Sequence, residues 1–239
     1  MQTLSQLTSQ GSVSMYHKDS NLIYKRLKKE IGTFSGGTKF KLADIEIDVV
    51  GKDGIGGLIE EWFGAWAIAR SLNIHNPKTT GNSQTFPDYF VGSEKEKGLL
   101  EIKTFNGTAS ANFDIANFDS YCLSLKEHPK RIDTDYLIFS YKMAGIRLTI
   151  DEIWLKKIWQ ITSPSGRWPL KTQTKRDVIY NIRPASWFGK NPKYKPFADK
   201  KAFVDALYST ELMYLKKRNL LKSEVKETPN QAGYWKAAT

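Results

Sequence analysis

Apolar and polar positions along this 239-residue chain change period several times, and each change marks an element. After a Ser-, Thr- and Gln-rich stretch over residues 1–15 that reads as a loosely held arm, Leu22, Ile23, Leu27 and Ile31 recur at helical spacing. Lys25, Arg26, Lys28 and Lys29 lie between them and Asp19 stands at the N-cap, which predicts a basic amphipathic helix. Its basic side is a solvated face before it is a dedicated contact. Gly36 and Gly37 break the pattern, and Phe40, Leu42, Ile45, Ile47 and Val49 then predict a short extended segment or hairpin arm. After Asp53 the period returns to helical as far as about Leu72, with Ile55, Leu58, Ile59, Trp62 and Trp66 in one stripe. Such a helix packs against a sheet. Glu60 falls beside that stripe, in a column with Gly56, Gly64 and Ala67, where small neighbours let another group come close.

Residues 76–85 are polar and turn-rich, with Pro77, Gly81 and Asn82, and predict a loop. Next comes TFPDYFVGSEKEKGLLEIKTF over residues 85–105, which reads as strand, turn and strand with Asp88, Glu101 and Lys103 at one end. Phe113, Ile115, Phe118, Tyr121 and Leu125 predict a helix ending near His128 and Pro129. Strands follow at residues 136–141 (YLIFSY) and 146–150, with a hairpin turn at Met143, Ala144 and Gly145. The run DEIWLKKIWQI from Asp151 fits strand and helix spacing alike. Residues 178–182 form a further strand stopped at Arg183-Pro184. Residues 185–197 (ASWFGKNPKYKPF) make a basic, aromatic loop, either pinned by its rings or in contact with DNA. Asp199 caps a last helix to about Arg218, with Phe203, Ala206, Leu207 and Met213 inward. After Lys222 the chain reads as poorly packed apart from Tyr234 and Trp235.

Composition narrows the function classes. A hydrophobic fraction of 40% and an aromatic fraction of 13% are those of one filled globular core. No apolar run nears the roughly 20 residues that span a bilayer, and the N-terminus lacks an apolar signal core, so the chain reads as cytoplasmic, with no membrane partner. Cys122 is the single cysteine, which excludes an internal disulfide framework and a cysteine zinc site, and its setting between Tyr121 and Leu123 reads as packing. His17, His75 and His128 are too scattered for a histidine-rich metal site. A net charge of +11 fits a polyanion partner, because clustered Lys and Arg release counterions from phosphate. No GxxxxGK[ST] loop, GxSxG elbow or motor motif is present, so no nucleotide cofactor is expected.

The chemistry centres on Asp88, Glu101 and Lys103. Magnesium is a hard cation, usually held by one or two carboxylates and completed by water and substrate phosphate. Asp88 and Glu101 on adjacent strands offer those oxygens. Lys103 lies two residues after Glu101, so alternation puts both on one face while Ile102 points to the core. Its ammonium would orient the attacking water and stabilise phosphorane charge, or act as general base if its pKa falls. The charged turn at residues 94–97 is solvated and stands outside the chemistry.

This Pro87-Asp88, Glu101-Ile102-Lys103 pattern resembles the signature of the PD-(D/E)XK nucleases. The helix sequence IGGLIEEWFG over residues 55–64 resembles the IGxxLExxLG helix of the MutH mismatch-repair nicking endonuclease and related restriction enzymes. In that family the acid after the two aliphatic residues joins the metal site, which carries over to Glu60 and leaves Glu61 free. The interval between Asp88 and Glu101 is longer than in MutH. The YLIFSY strand and the IRPASWFGKNPKYKPF loop are similar to those of small Type II restriction endonucleases of the NgoBV-like group. The resemblance implies an α/β fold: a restriction-endonuclease-like core with a central mixed β-sheet flanked by helices.

The expected function is that of a Type II restriction endonuclease, hydrolysing double-stranded DNA with Mg2+, as one domain over residues 1–239. The catalytic core spans about 40–150, and residues 151–239 supply recognition and dimerisation elements. A palindromic site would imply a homodimer. The competing readings are a MutH-like repair nuclease that nicks one strand and a non-catalytic DNA-binding protein. Asp88, Glu101 and Glu60 are the expected metal ligands, with Lys103 beside them. Asn106, Ser110, Asn112, Arg183, Lys190 and Lys193 are candidate DNA contacts.

Overall fold

The computed structural model describes residues 14–51, 53–78, 86–94 and 97–220. Residues 1–13 of the expected 1–15 arm, most of the 76–85 loop, the middle of the 94–97 turn, and Tyr234 and Trp235 lie outside the described residues.

Helix α1 (Lys18–Glu30) begins two residues earlier than its sequence implies. Its cap is His17, whose Nδ1 accepts from the Asp19 amide at 3.3 Å, so Asp19 sits in the first turn. Ser20, Ile23 and Leu27 face inward, while Leu22 is turned out at 55% exposure. Strand β1 (Ser35–Gly37) follows, then β2 (Lys39–Leu42) and β3 (Ile45–Asp48), which form the expected hairpin arm. Phe40 pairs with Ile47 and Leu42 with Ile45, and all four remain exposed.

Helix α2 (Ile55–Ile68) is shorter at both ends than expected, with Gly54 at its N-cap in a left-handed conformation (φ 82°). Its buried stripe is Ile55, Ile59, Phe63, Trp66 and Ala67. Leu58 is 54% exposed, at the margin of the stripe that Ile55, Ile59 and Phe63 turn toward the sheet.

Strand β4 (Ile74–His75) and β5 (Tyr89–Val91) pair antiparallel, and β5 pairs antiparallel with β6 (Leu99–Asn106). After β7 (Ala116–Asn117), α3 (Phe118–Glu127) is capped by Asn117, whose Oδ1 accepts from the Ser120 amide at 3.0 Å. Phe113 and Ile115 therefore precede this helix instead of opening it. They lie on the extended approach to β7, where the Ile115 amide donates to the Ile182 carbonyl at 3.0 Å.

Strand β8 (Asp135–Ala144) runs parallel to β6 and antiparallel to β9 (Arg147–Lys157), with Gly145 in the turn at φ 59°. The ambiguous run from Asp151 is thus a strand to Lys157, followed by the single turn α4 (Ile158–Ile161). Strands β10 (Thr172–Lys175) and β11 (Val178–Ile182) complete a small sheet with β7. The last helix, α5 (Lys200–Lys217), is capped by Asp199, which accepts from the Ala202 amide at 2.8 Å. Tyr214 is buried in its C-terminal half and Met213 is 45% exposed, reversing the expected inward position of Met213.

The main sheet has the order β1-β9-β8-β6-β5-β4, mixed because β6 and β8 are parallel. Alternation sends Leu100, Ile102, Leu137 and Phe139 to one face, where they pack with Ile23 and Leu27 of α1 and Ile59 and Phe63 of α2. Phe105, Tyr136 and Ile138 go to the other, with α3, α5 and the small sheet. Cys122 is buried in this second cluster, as its apolar setting implies. The mixed sheet flanked by helices is the expected architecture.

Glu30 ties α1 to α2. Its carboxylate accepts from Trp66 Nε1 at 3.0 Å, Arg70 Nε at 2.9 Å and Arg26 Nε at 3.1 Å. Arg70, followed by Trp66 and Arg26, holds this carboxyl at about 2 against the opposing effect of burial. The unfolded value is near 4.3, so the carboxylate stabilises the fold above that pH and the contribution is lost as the pH falls through about 2. Glu30→Gln will therefore melt below the parent at neutral pH, and the gap will close between about pH 4.5 and 2, read as Tm across a pH series.

Candidate active site

The β5–β6 hairpin sets Asp88 opposite Glu101. Tyr89 pairs with Leu100 and Phe90 with Leu99, so the residue before β5 falls beside Glu101. Two hydrogen bonds lock this end of the hairpin: the Asp88 amide donates to Glu101 Oε2 at 3.3 Å, and the Ile102 amide donates to Asp88 Oδ2 at 2.8 Å. Lys103 Nζ donates to Glu101 Oε1 at 2.9 Å. The side chains of Asp88 and Glu101 are each 13% exposed and that of Lys103 is 18% exposed, so the three form a nearly desolvated group whose charges act strongly on one another.

Burial pushes the Glu101 carboxyl above the usual carboxylate range; Lys103 opposes the rise and Asp88 adds to it. Burial would lower the Lys103 ammonium, but Glu101 and Asp88 outweigh it and hold the group above its ordinary value. Glu101 and Asp88 thus favour the charged form of this lysine, which donates to Glu101.

Gly98 makes the hairpin close. Its carbonyl accepts from the Val91 amide at 2.8 Å, and a Cβ there would stand 1.9 Å from the Val91 carbonyl oxygen. Backbone must move to admit it. Gly98→Ala is expected to cost at least about 2 kcal/mol in urea unfolding and to displace Asp88 from Glu101, lowering activity as well.

Glu60 arrives from α2. The small residues in its column admit side chains of the sheet: a Cβ on Gly56 would meet Thr104 Oγ1 at 2.9 Å, and one on Gly64 would meet the Tyr89 hydroxyl at 2.5 Å. That hydroxyl donates to the Glu60 carbonyl at 3.1 Å, and burial, then Glu60, push the phenol up to about 12, keeping its proton in place. Glu61 is exposed, in line with its free position. Among the described residues no three acidic, histidine or cysteine side chains converge as a metal cluster. Instead Glu60 and Asp88 meet through Lys78. Its Nζ pairs with the Glu60 carboxylate and lies 3.6 Å from Asp88 Oδ1. Sequence reasoning passed over Lys78 because it sits in the polar loop, ten positions before Asp88, at no spacing that ties it to the hairpin.

The donor set suits a hard cation. Asp88 has one oxygen committed to a backbone amide and the other, Oδ1, turned toward Lys78 and Glu60, which leaves carboxylate oxygen as the available ligand chemistry.

The candidate DNA contacts are dispersed. Asn106 Oδ1 is engaged by the Thr108 amide at 3.0 Å and hydroxyl at 2.7 Å, and Arg183 pairs with Asp114. Ser110, Asn112, Lys190 and Lys193 are exposed, with Lys193 Nζ 5.5 Å from the Tyr194 ring centroid. The 185–197 loop is pinned by its rings: Phe188 stacks on Phe105 at 5.4 Å and on Trp154 at 5.5 Å, and Trp187 meets Phe105 edge-on at 6.0 Å. Its lysines are thereby presented from a fixed base. No helix among the described residues is long and apolar enough to cross a membrane.

Comparison with known proteins places this geometry. Residues 17–234 match the model of the NgoBV restriction endonuclease family. The Type II restriction enzyme NlaIV of Neisseria lactamica is 38% identical over 186 residues, 77% of this chain and 75% of the relative. The Type II restriction enzyme NgoBV of Neisseria gonorrhoeae is 33% identical over 165 residues, 68% of this chain and 90% of the relative. The solved structure of NlaIV restriction endonuclease superposes with a TM-score of 0.77 at 33% identity, covering 91% of this chain and 86% of that one. Matched along nearly its whole length, the chain belongs to the NgoBV restriction endonuclease family of Type II restriction enzymes, which are site-specific deoxyribonucleases.

Proposed function

We propose that this enzyme cuts both strands of double-stranded DNA in a Mg2+-dependent hydrolysis carried out at Asp88, Glu101 and Lys103, with Glu60 in support. The observation that carries the reading is the pair of bonds across the hairpin, from the Asp88 amide to Glu101 and from the Ile102 amide to Asp88, with Lys103 on Glu101. Asp88 and Glu101 would hold the ion, and Glu60 would add a further carboxylate from α2. When bound, Mg2+ polarises the scissile phosphate and favours hydroxide at neutral pH.

The protein side of the reaction follows from charge and burial. Asp88 is fixed by the Ile102 amide, so its free oxygen keeps one direction through the reaction. Lys103 stays charged, donates a proton in a hydrogen bond to the attacking water or the phosphate, and offsets the negative charge that grows on the phosphorus oxygens. Its pairing with Glu101 keeps the ammonium from swinging away.

The exposed Lys190 and Lys193 would meet phosphates from the pinned loop, and Ser110 and Asn112 would reach toward the duplex after β6. To do so, Arg183 would leave Asp114, and Asn106 Oδ1 would leave Thr108. Replacing either lysine by Ala should flatten the salt dependence of binding by about 0.9 log units per log unit of salt; an unchanged slope removes that residue from the phosphate contacts. The catalytic part is assigned to about residues 40–150 of a single domain, with recognition and dimerisation elements in 151–239. A palindromic target implies a homodimer with one active site for each strand, working in the cytoplasm where DNA is accessible. Digestion of a sequenced supercoiled plasmid with Mg2+, followed by end sequencing, tests the function. Discrete linear fragments with one end sequence are expected, and open circles alone would sink double-strand cleavage.

A further inference from the structure

Lys78 stands where the site's free carboxylate oxygens face. The Asp88 Oδ2 oxygen is engaged by the Ile102 amide, and both Glu101 oxygens have donors, in Lys103 Nζ and the Asp88 amide. Asp88 Oδ1 and the Glu60 carboxylate remain, and these two are the oxygens that Lys78 Nζ contacts. The loop holds this lysine in place: Asn76 Oδ1 accepts from the Lys78 amide at 2.8 Å, and the side chain is only 25% exposed. Across the group, Asp88, Glu101 and Glu60 carry three negative charges, while Lys103 and Lys78 carry two positive ones. The lysine ammonium leaves the site one charge short of neutral and places a cation beside two of the three carboxylates that would hold a divalent ion.

We propose that Lys78 is a resident counter-ion of the active site: it holds Glu60 and Asp88 together in the DNA-free protein and competes with divalent metal for their oxygens. The proposal rests on the metal-site reading of Asp88, Glu101 and Glu60. A divalent ion and an ammonium repel at such short range, so metal enters only as Lys78 gives way, and the DNA-free enzyme binds metal more weakly than its carboxylates alone would allow. The same ammonium keeps Glu60 on α2 directed at Asp88 on the sheet, which makes Lys78 a positioning residue rather than a participant in bond cleavage. Weak loading in the absence of DNA would restrain cutting until substrate is present.

Calorimetric titration of Mn2+ into the DNA-free protein tests this, with the parent, Lys78→Met, Lys78→Arg and Asp88→Asn compared at one pH and salt. Lys78→Met keeps the length of the side chain without its charge and should bind Mn2+ at least about fivefold more tightly than the parent. Lys78→Arg keeps the charge and should stay near the parent value. Unchanged or weaker binding in Lys78→Met overturns the counter-ion role. If Asp88→Asn loses Mn2+ binding in that same series, the metal site survives and only the role of Lys78 falls. If Asp88→Asn binds as the parent does, the metal-site reading itself has failed and takes the proposal with it. Thermal melts of each variant, matched to the parent, show that the comparison is between folded proteins.

Discussion

Asp88→Asn is expected to lower the single-turnover rate of DNA cleavage by about a thousandfold or more, and Lys103→Ala by about a hundred- to a thousandfold. The two losses have different causes. Asp88→Asn keeps an oxygen that can still accept from the Ile102 amide, so the hairpin should hold, but it removes the formal charge from the oxygen turned toward the site. Lys103→Ala removes a buried ammonium that Glu101 and Asp88 keep charged, and with it the donor proposed to offset charge on the reacting phosphate. Binding to the recognition sequence in Ca2+ should change little in either variant, because the candidate DNA contacts other than Asn106 of β6 lie on other segments. Quench-flow or gel-based cleavage at saturating enzyme reads the rate, and fluorescence anisotropy reads the binding. Glu60→Ala should cost less than Asp88→Asn, and Glu61→Ala, on the exposed side of α2, should cost least.

Asp135→Ala is expected to destabilise the fold by about 3–5 kcal/mol in urea unfolding. Asp135 opens β8 and Lys157 closes β9, where the two are cross-strand partners with side chains 1% and 4% exposed. Lys157 Nζ lies 2.7 Å from Asp135 Oδ1 and donates to the Asp133 carbonyl, while the His17 amide donates to Asp135 Oδ2 at 3.0 Å. Truncating the acid strands an ammonium out of water, and that desolvation is the main cost. Asp135→Leu combined with Lys157→Met should therefore recover much of the loss, since an apolar pair of similar size leaves no buried charge. A double-mutant cycle on the urea midpoints checks this; additive losses would show that the two charges do not depend on each other. The pair also joins the start of α1, through His17, to the end of the sheet beside the active site.

The hairpin of the candidate site was readable from sequence because strand alternation has few alternatives. Once Ile102 is inward, Glu101 and Lys103 must share the other face, and the short interval after Asp88 brings that residue back beside them. Asp199 at the cap of α5 and the strand stopped by Arg183-Pro184 were readable for the same reason, that a local bond or a missing amide decides the boundary. Helix faces were less legible. Leu58 and Met213 have apolar neighbours at i+4 or i+1 that can take their place, and only the packing of Ile59 and Tyr214 against the core decides between them. The start of α3 was misplaced because Phe113 and Ile115 serve the approach to β7, and a ring every few residues does not distinguish that path from a helix. Lys78 had no signal at all. Its place beside Glu60 and Asp88 depends on how β4 returns to the sheet edge and on a loop bond to Asn76, and neither is written as a spacing.

The most direct measurement is a Mg2+ titration of single-turnover cleavage by the parent and by Asp88→Asn on one plasmid carrying a single recognition site. The parent should cut both strands with a rate that saturates in Mg2+ and vanishes in chelator, while Asp88→Asn should remain slower by about a thousandfold at every Mg2+ concentration. Cleavage by the parent in chelator, or a parent-like rate in Asp88→Asn, would contradict the account.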